Sequence, residues 1–460
     1  MIVQGKVFRM KLLGSVFALT LGFLAIPSFA QEQNVTGLDT EDMCQVVYEG
    51  IVPMRTPNFD QVAMWKRTLG VQGIDLLRSV MRVADGGVIF VGEGQPYYDD
   101  HEKKGLGDIE IEMGRLSKDG KILTQSYVSV EGLTSVVDGV LQKTRIVVLS
   151  HLRRKDQDFI GLFYLDGKGE KREEQLVSDK DRDLIPVSFV PLSSGGKIVL
   201  SRMHDRQSVQ KDLSSTGVVW IEENGKIRTI KEYLPGIKTI PSRIRKGADG
   251  ALIITGRVLN EKGSDAGWLL KIGTDGSMDF QQQFSRGLNA TLRDGISASD
   301  GAVVAIGDAI PAGEGDKAGW VVKTDSTGKI IWQKFLTGKY SYTAVDMVLL
   351  EDGRIMTLWA ASPTSFGGRR FARLVTFSPE GTILFDESYL EGTNSVPFRL
   401  IADAKQRVIA GVSETGFAEE QKSGRDEFIS YDNWVMALPE LPSYHNPCAA
   451  SKPKILDVLP

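Results

Sequence analysis

The stretch AGWVVKTDSTGKIIW, residues 318–332, reads as one β-hairpin, with two apolar strands joined by a polar turn that ends in Gly328. A near copy, AGWLLKIGTDGSMDF, lies at residues 266–280, about 52 residues upstream. In both copies the fourth residue after the turn glycine is aromatic, Trp332 in one and Phe280 in the other. A repeat of this length predicts four-stranded units of the kind that build β-propellers.

A second type of hairpin turn alternates with the first and is marked by Asp-Gly. Glycine accepts the positive φ that a tight turn needs, so Asp-Gly between apolar runs is a strong hairpin signal. The four clear examples and three weaker ones recur about every 51 to 57 residues, at residues 85–86, 142–144, 194–196, 249–250, 300–301, 352–353 and 404–406. The interleaved turns predict an all-β fold of seven units, at residues 76–128, 131–177, 184–232, 238–285, 290–337, 342–391 and 395–441.

The N-terminal segment MWKRTLG, residues 64–70, reads like the fourth strand IWQKFLT at residues 331–337, yet no first three strands precede it. The last unit, in contrast, lacks a fourth strand. We therefore expect a seven-bladed β-propeller whose ring is closed when the N-terminal strand completes the last blade, because closure removes exposed sheet edges. The expected domains are a signal peptide at 1–30, an extension at 31–60, the propeller at 61–441 and a tail at 442–460.

These repeats resemble those of secreted bacterial β-propellers of the WD-like and quinoprotein-like type. Asp325 to Trp332 is similar to the tryptophan-docking repeat of pyrroloquinoline-quinone dehydrogenases, in which the aromatic ring locks one blade onto the next. The repeat is one residue shorter here, and Thr124 and Thr229 replace the aromatic residue in two units. We therefore expect these aromatic residues to pack between blades, and we expect no cofactor.

The first thirty residues have the pattern of a secretory signal peptide. Three positive charges precede an apolar run at residues 12–26, and Ser28 and Ala30 occupy the small-residue cleavage positions. The alternative is a membrane span, but the run is short and no charge anchors its far end. We expect cleavage between Ala30 and Gln31, a periplasmic or secreted protein, and no membrane span in the mature chain.

Net charge and cysteine content further restrict the class of protein and its compartment. Removal of the signal peptide changes the net charge from −4 to about −7, which does not favour nucleic acid binding. The two cysteines, Cys44 and Cys448, lie near the ends of the mature chain and would meet an oxidising compartment. We expect them to form a disulfide, with two separate buried thiols as the alternative.

Metal-binding patterns are weak. Asp179, Asp181 and Asp183 are spaced like the first ligands of a Ca²⁺ loop, but Leu184 stands where the turn glycine should be. The four histidines show no short ligand spacing, although His151 and His204 fall at nearly the same place, the end of the second strand in units two and three, which would bring them to neighbouring loops on one face. We expect no metal.

Catalytic motifs are missing from the sequence: it contains no Gly-x-Ser-x-Gly, phosphate-binding Gly-x-x-x-x-Gly-Lys or His-Glu-x-x-His pattern. The connections between second and third strands are long and polar, whereas the other hairpin turns are short. One face of the propeller is therefore expected to carry the variable loops, where binding usually occurs.

We expect a monomeric binding propeller that recognises a protein or an anionic polysaccharide on this loop face. Arginine pairs favour contacts with carboxylate or phosphate, and tyrosine offers an amphipathic surface. The candidate ligand-binding residues are Tyr97, Tyr98, His101, His151, Arg153, Arg154, His204, Arg206, Arg369 and Arg370. The alternatives are a periplasmic hydrolase, lyase or lactonase with a site at the mouth of the central channel, and a structural subunit of an envelope complex.

Overall fold

The computed structural model describes most of the larger of two compact units, which spans residues 44–460. The described ranges are 45–70, 73–99, 104–155, 157–207, 214–259, 265–285, 287–311, 315–364, 368–403, 406–416, 429–444 and 454–456. Within these ranges every regular element is a β-strand. The same residues contain no helix with the length and hydrophobicity needed to cross a membrane.

The strands form antiparallel units of four, in agreement with the units that the turn pattern predicts. The first unit has β4 Gly73–Arg82, β5 Val88–Asp99, β7 Glu110–Leu116 and β8 Ile122–Ser129, with a short β6 Lys104–Leu106 on β5. The second to fourth units are β9 Leu133–Gln142, β10 Arg145–Arg154, β11 Gln157–Leu165, β12 Lys171–Val177; β13 Arg182–Pro191, β14 Lys197–Asp205, β15 Ser215–Ile221, β16 Ile227–Tyr233; and β17 Thr239–Lys246, β18 Leu252–Val258, β19 Ala266–Ile272, β20 Met278–Phe284. The fifth and sixth are β21 Leu288–Ser297, β22 Val303–Ile310, β23 Ala318–Thr324, β24 Ile330–Thr337; and β25 Tyr340–Leu349, β26 Ile355–Pro363, β27 Phe371–Phe377, β28 Ile383–Tyr389.

The seventh unit takes its fourth strand from the start of the chain. It consists of β29 Ser395–Ala402, β30 Arg407–Gly416, β31 Ile429–Leu438 and β3 Trp65–Leu69. Strand β3 runs antiparallel to β31, with Trp65 opposite Ala437 and Thr68 opposite Trp434, which is the pairing expected from the sequence. One parallel bridge, Tyr431 to Ile74, joins β31 to β4, so the first and seventh units form one nine-stranded sheet.

The segment before β3 differs from the expected plain extension. Strand β2, Glu49–Pro53, adds a parallel fifth strand to the fifth unit through β24. The pairing of these few residues depends on a distant partner strand, so no local pattern predicts it.

A separate two-stranded sheet brings the chain ends together. Strand β1, Gln45–Val47, runs parallel to β32, Lys454–Leu456. Cys44 and Cys448 themselves lie outside the described residues, as does the predicted signal peptide. Their disulfide therefore stays a prediction.

The hydrophobic core lies between neighbouring units. Each cluster of buried side chains draws on two consecutive units, as Trp332 of the fifth and Trp359 of the sixth illustrate. One cluster joins the last unit to the first, with Leu69, Leu77 and Val435 among its members. Sheet packing is thus continuous from unit to unit.

Aromatic residues of the fourth strands pack on the next unit's turn glycine, as the sequence predicts. Trp332 Nε1 donates a hydrogen bond to Pro379 O at 3.1 Å, and a Cβ at Gly381 would lie 3.1 Å from its ring. Gly381 has φ +88°, so both conformation and space favour glycine there. Trp65 makes the same contact with the first unit, where its Nε1 donates to Lys118 O at 2.7 Å.

Candidate functional site

The first strand of each unit contains a β-bulge, one extra residue at the same place between the start of the strand and the hairpin turn that follows it. Such bulges bend a strand and redirect the side chains that follow. The register shifts fall at Arg78, Val137, Val187, Ser242, Arg293, Val345 and Phe398. The next residues are all polar, namely Ser79, Asp138, Ser188, Arg243, Asp294, Asp346 and Arg399.

These polar residues form ion pairs between units. Arg243 Nη1 lies 3.3 Å from Asp294 Oδ2 and 3.0 Å from Asp346 Oδ1. Arg245 Nη1 contacts the same two oxygens at 2.8 and 3.5 Å. Burial raises the pKa of Asp294, whereas in Asp346 the charges of Arg243 and Arg245 outweigh burial and lower the pKa. First strands of the fourth, fifth and sixth units are therefore held together by shared charges.

The carboxylates beside the bulges also accept hydrogen bonds from backbone N–H groups. Asp138 accepts from its neighbour Gly139 N at 2.9 Å, and Asp346 accepts from Met347 N and Leu400 N, both at 2.9 Å. Buried charges need such partners to offset their desolvation. These hydrogen bonds thus help to fix the first strands in place.

A cavity of about 380 Å³ lies against the first strands of units one to four. Arg78 on its wall pairs with Glu93 Oε1 at 2.5 Å, and Glu93 Oε2 accepts from Val136 N at 2.9 Å. The larger cavity, as we call it, is lined by Arg78, Ser135, Val136, Val137, Ile185, Pro186, Val187, Arg202, Ile240 and Pro241. Its charged side chains are both arginine.

Arg202 differs from the other arginines at this site. Among the described residues it has no carboxylate within ion-pair distance, whereas Arg78 pairs with Glu93. Its Nε, like that of Arg78, is buried without a hydrogen-bond partner. The corresponding arginine of the next unit, Arg257, is paired with Asp265 at 3.0 Å. The two arginines occupy the same place in their units, because Arg202 pairs with Ile185 and Arg257 pairs with Ile240, each two residues before the bulge residue of the first strand. Arg202 is thus a cation on the wall of the larger cavity with no ion-pair partner among the described residues and one buried donor that lacks an acceptor.

A smaller cavity of about 180 Å³ adjoins it and shares three lining residues. Its lining is Leu77, Arg78, Val137, Val187, Ser188, Ser242, Arg243, Phe398 and Arg399. No carboxylate is among these residues. The two cavities together present arginine and apolar side chains to whatever enters.

Two of the predicted histidines lie beside one acid. His151 Nε2 is 2.8 Å from Asp158 Oδ1, and its Nδ1 is 2.8 Å from Thr134 Oγ1. Burial and the charge of Arg202 lower the pKa of His204, while the charge of Asp158 opposes this. Asp158 thus contacts His151 and lies close enough to His204, of the neighbouring unit, for its charge to act on that imidazole.

Two of the five predicted arginines of the expected loop face pair with acids within the protein. Arg154 Nη2 pairs with Glu174 at 3.2 Å, and Arg206 Nε pairs with Asp183 at 2.6 Å. Arg153 is exposed. The candidate residues of the first three units therefore carry less unpaired positive charge than their residue types suggest.

The other predicted site residues are scattered. Tyr97 and Tyr98 lie in β5, where their backbones pair with Leu106 and Gly105. His101 lies outside the described residues. The two remaining candidates, Arg369 and Arg370, are exposed and belong to the sixth unit, apart from the first three.

The weak Ca²⁺ candidate is a turn in the structure. Asp179 Oδ1 accepts from Asp181 N at 3.0 Å and from Arg182 N at 3.1 Å, and Asp183 is occupied by Arg206. Among the described residues no three His, Cys, Asp or Glu side chains are grouped to hold a metal ion.

The bulge residues were missed by reasoning from the sequence, although a signal for them exists. In the four units whose first hairpin turn contains Asp-Gly, the residue six positions before that aspartate is polar. Arg243, Asp294 and Asp346 illustrate this for Asp249, Asp300 and Asp352. Arg202 lies on a different strand and carries no such marker.

No protein-family model matches the sequence, and no curated protein is similar enough to count as a relative. Three solved structures illustrate the likeness in fold. A protein from Lactobacillus plantarum is 14% identical with a TM-score of 0.46, and the match covers 77% of this chain and 97% of that one. A putative 6-phosphogluconolactonase from Bacteroides fragilis is 13% identical with a TM-score of 0.44, covering 76% and 96%. The WD40 domain of Toxoplasma gondii coronin is 9% identical with a TM-score of 0.44, covering 86% and 89%. Because the similarity is so low, the fold is assigned from the strand pairings described above. The protein has a repeat β fold of the propeller kind.

Proposed function

We propose that the protein is a secreted or periplasmic, monomeric seven-bladed β-propeller that binds an anionic group of a protein or glycan partner and performs no chemistry. Closure of the ring is supported by the pairing of β3 with β31 and by the core shared by the first and last units. The first strands of consecutive units also contact each other, including β29 with β4. In a closed ring these strands would surround a central channel, and both cavities would open into it.

The observation that carries the proposal is Arg202 in the larger cavity. A guanidinium group has five N–H donors and stays charged at every physiological pH. Leaving such a donor buried and unpaired is costly, and an anionic ligand would supply the missing acceptor. The apolar wall formed by Ile185, Ile240 and Val187 would exclude water and strengthen that contact.

Binding should depend on Arg202 and not on its paired counterpart. We expect R202Q to weaken binding of a fluorescent hexaglutamate peptide or of dextran sulfate by about tenfold or more, the loss expected for one charge-assisted hydrogen bond. R257Q is the matched control, because Arg257 is already paired with Asp265. Fluorescence anisotropy at several salt concentrations measures both variants, and uncharged dextran should not bind.

Equal affinities for R202Q and R257Q, or binding that is insensitive to salt, would contradict the proposal. Substitution of Arg154 or Arg206 by alanine should have a smaller effect than R202Q. Their guanidinium groups already pair with Glu174 and Asp183, so each contributes less free charge.

One observation favours the alternative, a hydrolase at the channel mouth. Thr134, His151 and Asp158 form a hydrogen-bonded row of hydroxyl, imidazole and carboxylate, the order used for nucleophilic catalysis. However, Thr134 Oγ1 also donates to His151 O at 2.9 Å, as a structural hydroxyl does. Hydrolysis of a p-nitrophenyl ester that disappears in Thr134→Ala would support the enzyme, whereas equal rates in both proteins would exclude this row as its site.

A further inference from the structure

We propose that the smaller cavity binds one small oxyanion, of the size and charge of phosphate or sulfate. This site is separate from the partner-binding role of Arg202, which does not line the smaller cavity. It would belong to the interior of the protein, where first strands from units one, two, three, four and seven meet.

The lining of the smaller cavity fits an anion. It combines three guanidinium groups, Arg78, Arg243 and Arg399, with the hydroxyls of Ser188 and Ser242. Arg243 already pairs with Asp294 and Asp346, and the Ser188 hydroxyl makes only long contacts, 3.3 Å to Asp138 Oδ2 and 3.4 Å to Ile244 O. All five side chains are of the donor type, and a tetrahedral oxyanion accepts several hydrogen bonds at once. The carboxylates that pair with these arginines, Glu93, Asp294, Asp346 and Asp138, lie outside the lining.

Two donors on this wall lack acceptors. The Nε atoms of Arg78 and Arg399 are both buried with no hydrogen-bond partner. The bonds that Arg399 does make are long, 3.3 Å from Nη1 to Phe398 O and 3.3 Å from Nη2 to Asp138 Oδ1. Buried donors without partners are rare in folded proteins, and a bound anion is one way to satisfy them.

Like charges also approach each other across this cavity. Burial and the nearby charge of Arg243 lower the pKa of Arg399, whereas Asp138 and the other carboxylates only partly oppose this. An anion between the two guanidinium groups would remove the repulsion, because it would interact favourably with both.

The volume selects for a small ligand. A water molecule takes about 30 Å³ of liquid, so 180 Å³ accommodates one oxyanion with a few waters. Sites for drug-sized ligands or cofactors usually span about 300–1,000 Å³. A nucleotide or a sugar chain therefore exceeds what this cavity can hold.

The test uses the mature full-length chain in a buffer free of phosphate and sulfate. Thermal melts are recorded with increasing sodium phosphate or sulfate, against sodium chloride at equal ionic strength, and calorimetry measures the affinity. A ligand that binds the folded state raises Tm in a saturable way. We expect such a rise with phosphate or sulfate and none with chloride.

Two variants locate the site. Ser242→Leu fills the cavity without removing an ion pair and should weaken phosphate binding at least tenfold. The double variant Arg399→Gln with Asp138→Asn removes both members of a pair and should do the same. Val345→Leu is the control, since Val345 is the sixth unit's residue at the bulge position and does not line the cavity.

The inference is overturned if phosphate and sulfate give no saturable rise above chloride, or if Ser242→Leu and Val345→Leu bind phosphate equally. R202Q separates this site from the proposed function: it removes the oxyanion site at Arg202, but a saturable phosphate site that Ser242→Leu weakens should remain. If R202Q abolishes phosphate binding as well, the smaller cavity is not a separate site and the inference fails.

Discussion

Glu112 is a buried carboxyl at the junction of the first and seventh units. Its Oε2 accepts from Asn433 Nδ2 at 2.8 Å, and Asn433 Oδ1 in turn accepts from Leu77 N at 2.6 Å. Burial, and then the charge of Asp75, raise the pKa of Glu112 from 4.5 to about 8. Glu112 is therefore largely protonated in the folded protein at neutral pH.

A raised pKa in the folded state makes stability fall as pH rises. Between about 4.5 and 8 the folded chain holds a proton on Glu112 that the unfolded chain has released, so each step up in pH favours unfolding. The variant Glu112→Gln has nearly the shape of the protonated carboxyl but cannot titrate. We expect the Tm of the variant to fall less between pH 5 and pH 8 than the Tm of the wild type.

Thermal melts at half-unit pH steps measure this difference. Glu232→Gln, an exposed residue of β16, is the control and should follow the wild type. Parallel Tm profiles for Glu112→Gln and the wild type across this range would show that Glu112 is ionised in the folded state.

At the scale of elements, the contact between a fourth strand and the next turn is the repeated joint of the fold. Trp332 is fully buried between the fifth and sixth units. Trp332→Ala should lower the free energy of unfolding by about 3–5 kcal/mol, because it removes a large apolar side chain and leaves a cavity. Urea unfolding measures the change.

The control for this joint is Met278→Ala in β20, a side chain that is 59% exposed. It should cost within about 0.5 kcal/mol, as surface substitutions usually do. A loss for Trp332→Ala no larger than that of Met278→Ala would show that the joint does not stabilise the fold.

Elements with local signals were predictable from the sequence. Asp-Gly turns and apolar alternation locate the hairpins, because glycine at positive φ and period-two patterning are properties of neighbouring residues. The extra residue of each bulge is harder to predict, because one inserted residue only displaces the alternation of apolar and polar residues by one position. The pairing of β2 with β24 and the free state of Arg202 depend on distant partners and had no local signal.

At the scale of the whole molecule, β3 is the strand on which closure depends. A chain that begins at residue 71 would expose the apolar face and the edge of β31, which β3 covers. We expect it to melt well below the mature chain and with a broader transition.

A chain that begins at residue 61 is the matched comparison, because it loses β2 but keeps β3. It should retain a single cooperative transition close to that of the mature chain. If the chains beginning at 61 and 71 melt alike, β3 contributes nothing to closure and the ring is held by other contacts.

A crystal structure of the mature protein soaked in selenate tests the central claim, anion binding by the arginines of the larger cavity, most directly. Selenium scatters anomalously and marks a bound oxyanion without ambiguity. We predict an anomalous peak within hydrogen-bond distance of Arg202 that is missing in R202Q crystals. A cavity without selenate at Arg202, or one occupied by a metal ion on carboxylates, would contradict the account and favour an enzyme.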